Sequence, residues 1–283
     1  STLLASSAAS DVYKRQIQGR KNVLRMIKAE GGGHLGPAFS CMDIVTALYF
    51  HTLHVDPKNP KMPERDIFLL SAGHKAMAQY AVMAEMGYFD RSVLDTFGSF
   101  KSIIAGHPCM HLLPGIEANT GSLGHGILLG CGMALGKRQD KLPSRVFVIT
   151  GDGELAEGSN WEGAAVAAHY GLDNLCVIVD HNGLQISGNT KDVMSFEPVA
   201  EHFAGFGWAT RVIDGNDMGQ IVEALDSVPF EKGKPSVIVA NTFKGCGFSK
   251  VAGKASCHHW AYNEADYNEA MQELDKALAE VKA

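Results

Sequence analysis

Asp152 lies between Gly151 and Gly153, directly after the apolar run Val146–Thr150, and Asn182 follows the next apolar run, Leu175–Asp180. A carboxylate and an amide oxygen at the tips of neighbouring strands are hard ligands of the kind Mg2+ takes, with water or phosphate oxygens completing its shell. Gly153 lets its N–H approach a phosphate with no Cβ in the way. A helix beginning near Glu157 would turn its positive dipole end to the same place. Together these residues describe a site for a metal-bound diphosphate. The bland alternative is a strand–turn–helix with a polar cap, and the second strand-end ligand weighs against it. A dinucleotide site is excluded, because no GxGxxG string follows the first strand. Histidine is the second constellation. Among 12 histidines, His34, His74, His107 and His125 each follow a glycine, which places them in loops or at element ends. Imidazole gives and takes protons near neutral pH. Taken singly, each reads equally well as a satisfied core or surface histidine, and the spacings match no zinc pattern.

The elements that must hold these groups follow from periodicity. Helical patterns run from Ile17 to the glycines at 31–33, from Met42 to His51, from Ala76 to Met86 and from Leu123 to Lys137. Residues 103–119 carry Gly, Pro and His without a period and read as loop. Ile67–Leu70, Arg145–Thr150, Leu175–Asp180, Thr210–Ile213 and Ser236–Ala240 read as strands, with helices predicted over Glu157–Tyr170 and Met218–Val228. Strand, helix and strand in close succession make a βαβ unit and hence parallel pairing. Continuously apolar strands imply helices on both faces, and ligands then bind at the carboxyl ends of the strands. The expected fold is an α/β, doubly wound, mostly parallel sheet, formed by residues 17–262. Residues 263–283 form a helical arm of the same domain, with Tyr267, Met271, Leu274, Leu278 and Val281 on one stripe.

Composition bounds the remaining classes. At 46% hydrophobic and 20% charged over 283 residues, the chain is ordinary for a globular protein. A net charge of -6 without a basic stripe argues against nucleic acid, and no apolar run reaches membrane-spanning length. The 6 cysteines form no CxxC pair, which predicts reduced thiols and a cytoplasmic setting. Residues 1–16 are expected to lie outside the fold as a non-native or disordered segment. Ser1–Ser10 lack periodicity, and residues 11–16 also match what one frame of a common sequencing adapter encodes.

The segments Gly32-Gly33-His34-Leu35-Gly36, Leu70-Ser71-Ala72-Gly73-His74, Gly106-His107-Pro108 and Thr120-Gly121-Ser122-Leu123-Gly124 come in a telling order. With Gly151–Gly158 and Asp180–Leu184 they resemble the successive motifs of the transketolase family, over roughly residues 20–265. The resemblance implies a thiamine-diphosphate-binding fold and a two-carbon transfer from a ketose phosphate to an aldose phosphate. It implies a metal, Mg2+ with Ca2+ or Mn2+ as substitutes, held by Asp152, Asn182 and the Leu184 carbonyl. Gly151, Gly153, Gly121, Leu123 and His74 would contact the cofactor, Gly121 and Leu123 at its aminopyrimidine. His34 and His107 would face substrate hydroxyls and carbonyl, and His74 and His258 both diphosphate and substrate. His259 is a possible substitute for His258, and the role of His125 stays open. Glu157 and, less directly, Glu162 correspond to a dimer interface, with Glu157 also readable as an acid favoured at a helix start. No second βαβ series is present, so the resemblance is to the N-terminal subunit of a split enzyme. A separate C-terminal subunit would carry the pyrimidine-binding and C-terminal domains, and self-association would give a heterotetramer, inactive without that partner. The competing readings are a 1-deoxyxylulose-5-phosphate synthase, the alpha subunit of a 2-oxo acid dehydrogenase, and a vestigial regulatory subunit.

Overall fold

The computed structural model describes the backbone of residues 2–282 and the side chains of residues 11–281. In chain order the elements are α1 (Thr2–Glu30), β1 (Gly32–Gly33), α2 (Leu35–Ala47), β2 (Ile67–Leu70), α3 (Ala76–Met86), α4 (Gly126–Gln139), β3 (Val146–Gly151) and α5 (Gly158–His169). There follow β4 (Leu175–His181), α6 (Thr190–Val193), α7 (Val199–Gly205), β5 (Ala209–Asp214), α8 (Met218–Asp226), β6 (Ser236–Asn241), β7 (Trp260–Ala261) and α9 (Glu264–Lys282).

Five strands form one parallel sheet in the order β2-β3-β4-β6-β5. Alternate residues of each strand enter two cores. Phe68, Phe147, Ile149, Ile178 and Ile238 pack under α1, α2, α3 and α8, while Leu69, Val148, Val177 and Val239 pack under α4, α5 and α7. This is the doubly wound arrangement that apolar strands predict. The pairing sets Gly151 opposite Asp180, so the loops after β3 and β4 emerge side by side at one sheet edge.

Several expectations are revised. Helix α1 runs without a break through residues 2–30, and Val12 and Gln16 on it are buried. The segment 11–16 is therefore packed against the domain rather than outside it; the side chains of 1–10 lie outside the described residues. Helix α2 begins at Leu35, earlier than the expected Met42, because Pro37 falls in the first turn, where no intrahelical N–H is needed. It gives way to one π turn at Leu48–Thr52. The helix expected from Glu157 starts at Gly158, and the Gly153–Ala156 turn before it is 3-10. The dipole of α5 is thus one turn removed from Gly153. The β1–β7 ladder, antiparallel and pairing Gly33 with Trp260, was not anticipated: two residues carry no period.

Arg20 and Asp43 tie α1 to α2 as a buried bidentate pair, 3.0 and 2.9 Å, and Asp43 also accepts from Asn216 Nδ2 at 2.8 Å. Removing one partner strands the other charge in the core. Asp43→Ala should cost about 3–5 kcal/mol in chemical denaturation, and Arg20→Met with Asp43→Leu together should cost less than either single change.

Candidate active site

At the carboxyl ends of β3, β4 and β6 lies a cleft of about 350 Å3. Asp152 ends the β3 tip, its Oδ1 accepting from Gly153 N at 2.8 Å and its Oδ2 from Gly183 N at 2.6 Å. Asn182 Oδ1 accepts from Leu184 N at 3.1 Å. The loops after the two strands are thus laced together, and Asp152, Asn182 and Leu184 all line the cleft with Gly121, Leu123, Gly151, Gly153, His34, His74 and His258. Burial, then the neighbouring Asp180 carboxylate, raises the Asp152 carboxyl.

Four groups that pattern reading passed over organise this site. Asp180 is fully buried, and Lys75 Nζ is paired with it. Ser40 Oγ donates to it at 2.8 Å, as does Thr242 Oγ1. Burial opposes the Lys75 charge, and the Asp180 carboxylate outweighs it. Glu154, also buried, accepts from Ser71 Oγ, from Gly124 N at 2.8 Å and from Gly151 N at 3.0 Å, so one carboxylate joins three glycine-bearing segments. Lys244, beyond β6, donates to the Leu184 carbonyl at 3.0 Å and lies 3.1 Å from His258 Nδ1. Burial and the Lys75 charge lower its ammonium. A lysine shortly after a strand tip was the available signal for Lys244. Asp180 and Glu154 stood in plain view beside the motif, but their bonding partners are distant in sequence.

The histidines converge. His34 is 5.5 Å from His74, 5.5 Å from His258, 5.2 Å from His259 and 6.3 Å from His107, centroid to centroid. His74 and His258 are 5.0 Å apart. The β1–β7 ladder brings residues 258 and 259 back over His34. Gly36 allows the contact: a Cβ there would lie 2.3 Å from Cys257 Sγ. His107 lines an adjoining cavity rather than the cleft itself. His125 is exposed and turned to the Leu123 carbonyl, 3.0 Å away. Glu157 and Glu162 are exposed outside the cleft; Glu157 lies against Gly124, where a Cβ would come within 2.5 Å of the Glu157 Cβ.

The donor set suits a diphosphate with a divalent ion. Lys75 and Lys244 supply positive charge, and the Gln185 Nε2 at the cleft is buried with no partner among the described residues, a spare donor for an anion. The Leu184 carbonyl already faces a cation, the Lys244 ammonium. No cluster of three His, Cys, Asp or Glu able to hold a metal occurs among the described residues. An ion here would therefore rest on one carboxylate and neutral oxygens and would need phosphate oxygens to complete its shell.

A parallel sheet with an anion-binding cleft at its carboxyl edge is the architecture of a cofactor-diphosphate domain. Residues 16–278 match the family described as "Transketolase, thiamine diphosphate binding domain". The chain is 39% identical to one subunit of the apulose-4-phosphate transketolase of Phocaeicola vulgatus, covering 94% of both. It is also 39% identical to the 6-deoxy-6-sulfo-D-fructose transketolase subunit SqwG of a Clostridium species, covering 92% of this chain and 96% of that one. The transketolase of Leishmania mexicana superposes with a TM-score of 0.83 at 25% identity, over 96% of this chain and 45% of that one. The chain belongs to the transketolase family, as a subunit of the N-terminal, thiamine-diphosphate-binding type. It spans about half the length of the solved transketolases it matches. No described helix is long and apolar enough to cross a membrane.

Burial comes first in lowering three of the clustered imidazoles. It brings His34 to about 4, aided by the charges of His259 and His107, and His258 to about 3, aided by Lys244. His74 is lowered further, with Lys75 contributing. The unfolded chain titrates these groups near 6.5 and so binds more protons than the folded one below that pH. Stability should therefore fall as pH drops from about 6.5 to about 4. Thermal unfolding across that range should show the fall, and combining His34→Asn, His74→Asn and His258→Asn should flatten it.

Proposed function

We propose that this chain holds the diphosphate of thiamine diphosphate through Mg2+ and acts in two-carbon ketol transfer from a ketose phosphate to an aldose phosphate. It does so with a separate subunit carrying the pyrimidine-binding and C-terminal domains. The observation that carries the reading is the meeting of Asp152, Asn182 and the Leu184 carbonyl in one cleft, with Lys75 and Lys244 behind them. In this reading Asp152, Asn182 and Leu184 ligate the ion, and Gly151, Gly153 and His74 contact the diphosphate. Gly121 and Leu123 line the path toward the aminopyrimidine. Ca2+ and Mn2+ share the preference for oxygen and would substitute.

Bound thiamine diphosphate supplies the carbon nucleophile that carries the two-carbon unit. The chain's own task is to position sugar and move protons. His34, His74 and His258, kept neutral by burial, each present one donor and one acceptor nitrogen. They can take a proton from a sugar hydroxyl as a carbon–carbon bond breaks and return it as the next forms. His107 and His259 extend the same ring.

The partner requirement is supported by relatives of matching length that are named as subunits. A heterotetramer with Glu157 and Glu162 at its interface, working in the cytoplasm, completes the proposal. Calorimetry in the reconstituted complex should detect thiamine diphosphate binding only with a divalent ion. Asp152→Ala and Asn182→Ala should each weaken it by at least about tenfold, ~1.4 kcal/mol. Coupled assays with ketose and aldose phosphates should show turnover when both subunits are mixed and none for either alone. Sustained turnover by this chain unaided would overturn the division of labour.

A further inference from the structure

The loop after β4 is pinned at its base. Thr190 N donates to Gly183 O at 2.9 Å, Gln185 N donates to Gly188 O at 2.8 Å, and Leu184 bridges Asn189 in antiparallel fashion. Ile186 and Ser187 at the tip are exposed, whereas Gln185 folds inward over the β3 tip. A Cβ added to Gly153 would lie 2.8 Å from Gln185 Cγ, 3.2 Å from Cδ and 3.4 Å from Nε2, its three nearest contacts. Gly153 opens a 3-10 turn and does not have a positive φ, so its backbone would accept a side chain. What position 153 lacks is room, because the Gln185 side chain lies across it.

The Nε2 of that side chain is buried at the cleft and has no partner among the described residues. An amide nitrogen carries two donors, and a buried donor left unmatched costs free energy. The two carboxylates lining the cleft do not relieve it. Asp152 accepts from Gly153 N and Gly183 N, and Glu154 from Ser71, Gly124 and Gly151. Lys75 and Lys244 are donors themselves. The acceptor has to come from the ligand. We propose that Gln185 is a cofactor-binding residue whose Nε2 donates a hydrogen bond to a phosphate oxygen of the diphosphate, and that position 153 is glycine in order to seat it. The inference rests on the metal–diphosphate reading above and deepens it. A neutral donor suits that reading. It holds a phosphate oxygen without adding a third positive charge, beside Lys75 and Lys244, to repel the divalent ion.

Calorimetry on the reconstituted complex with Mg2+ tests this, with thiamine diphosphate and inorganic pyrophosphate as separate titrants. Gln185→Ala should weaken both by about tenfold, ~1.4 kcal/mol, the scale of a hydrogen bond to a charged group. Gln185→Glu keeps the shape but replaces the donor with a carboxylate, and should weaken both further. Gly153→Ala should lose a factor similar to Gln185→Ala. Combining the two should cost less than about twofold beyond either alone, because residues in contact do not add. Unchanged affinities in Gln185→Ala, tighter binding in Gln185→Glu, or a loss confined to thiamine diphosphate overturns the role of Gln185 and leaves the diphosphate reading standing. Full additivity in the double variant overturns the reason given for Gly153. A wild-type complex that binds neither titrant with Mg2+ overturns the diphosphate reading and this inference together.

Discussion

The charge of Asp180 at the tip of β4 has no route to water. Desolvating a carboxylate is costly unless it is paired and its lone pairs are satisfied. Here the compensation comes from four directions: Lys75 from the turn after β2, Ser40 from α2, Thr242 from the end of β6, and Asn182 Nδ2 more distantly at 3.5 Å. Three of these donors are also tied to the cleft. Lys75 and Asn182 line it directly, and Ser40 receives a hydrogen bond from Asn182 Nδ2 at 3.2 Å. The geometry of the cleft is therefore a by-product of solving one buried charge. Neither the strand tips nor the loop that carries Asn182 can shift without loosening the compensation of Asp180.

Glu154 does for the other half of the cleft what Asp180 does for this one. Its carboxylate collects Ser71, Gly124 and Gly151, so the segments carrying His74, Leu123 and Asp152 share one anchor. The histidine cluster rests on a third device, backbone contact without side chains. Gly33 pairs with Trp260, and Gly36 admits Cys257 at a distance no Cβ would allow. Residues far apart in the chain thus bring five imidazoles within reach of one another. Crowding and burial then keep His34, His74 and His258 uncharged near neutrality.

Much of this was legible beforehand. The strands β2, β3, β4 and β6 are short and largely apolar, and a buried parallel strand has that appearance because both faces meet helices. Asp152, Asn182 and Leu184 closely follow such strands, so their convergence was implied by parallel pairing. The histidines were visible through their preceding glycines. Less legible were Lys75, Lys244, Glu154 and Asp180: a charged residue beside a motif looks like a solvated one until its partners are known. The packing of residues 11–16 was missed because they were set aside with the aperiodic Ser1–Ser10 for matching an adapter sequence, and the start of α2 because a Gly-Pro pair reads as a break although Pro is tolerated in a first turn.

By itself the order of residues determined the parallel α/β architecture, the placing of Asp152 and Asn182 at neighbouring strand tips, and the family to which the chain belongs. Those depend on hydrophobic period and on motifs whose parts are near in sequence. Tertiary structure alone decided which charges are buried, which distant groups answer each, and that His258 and His259 close over His34. These are facts of long-range contact and desolvation. A side chain's local neighbours do not specify whether water or a residue from a distant segment will stand beside it.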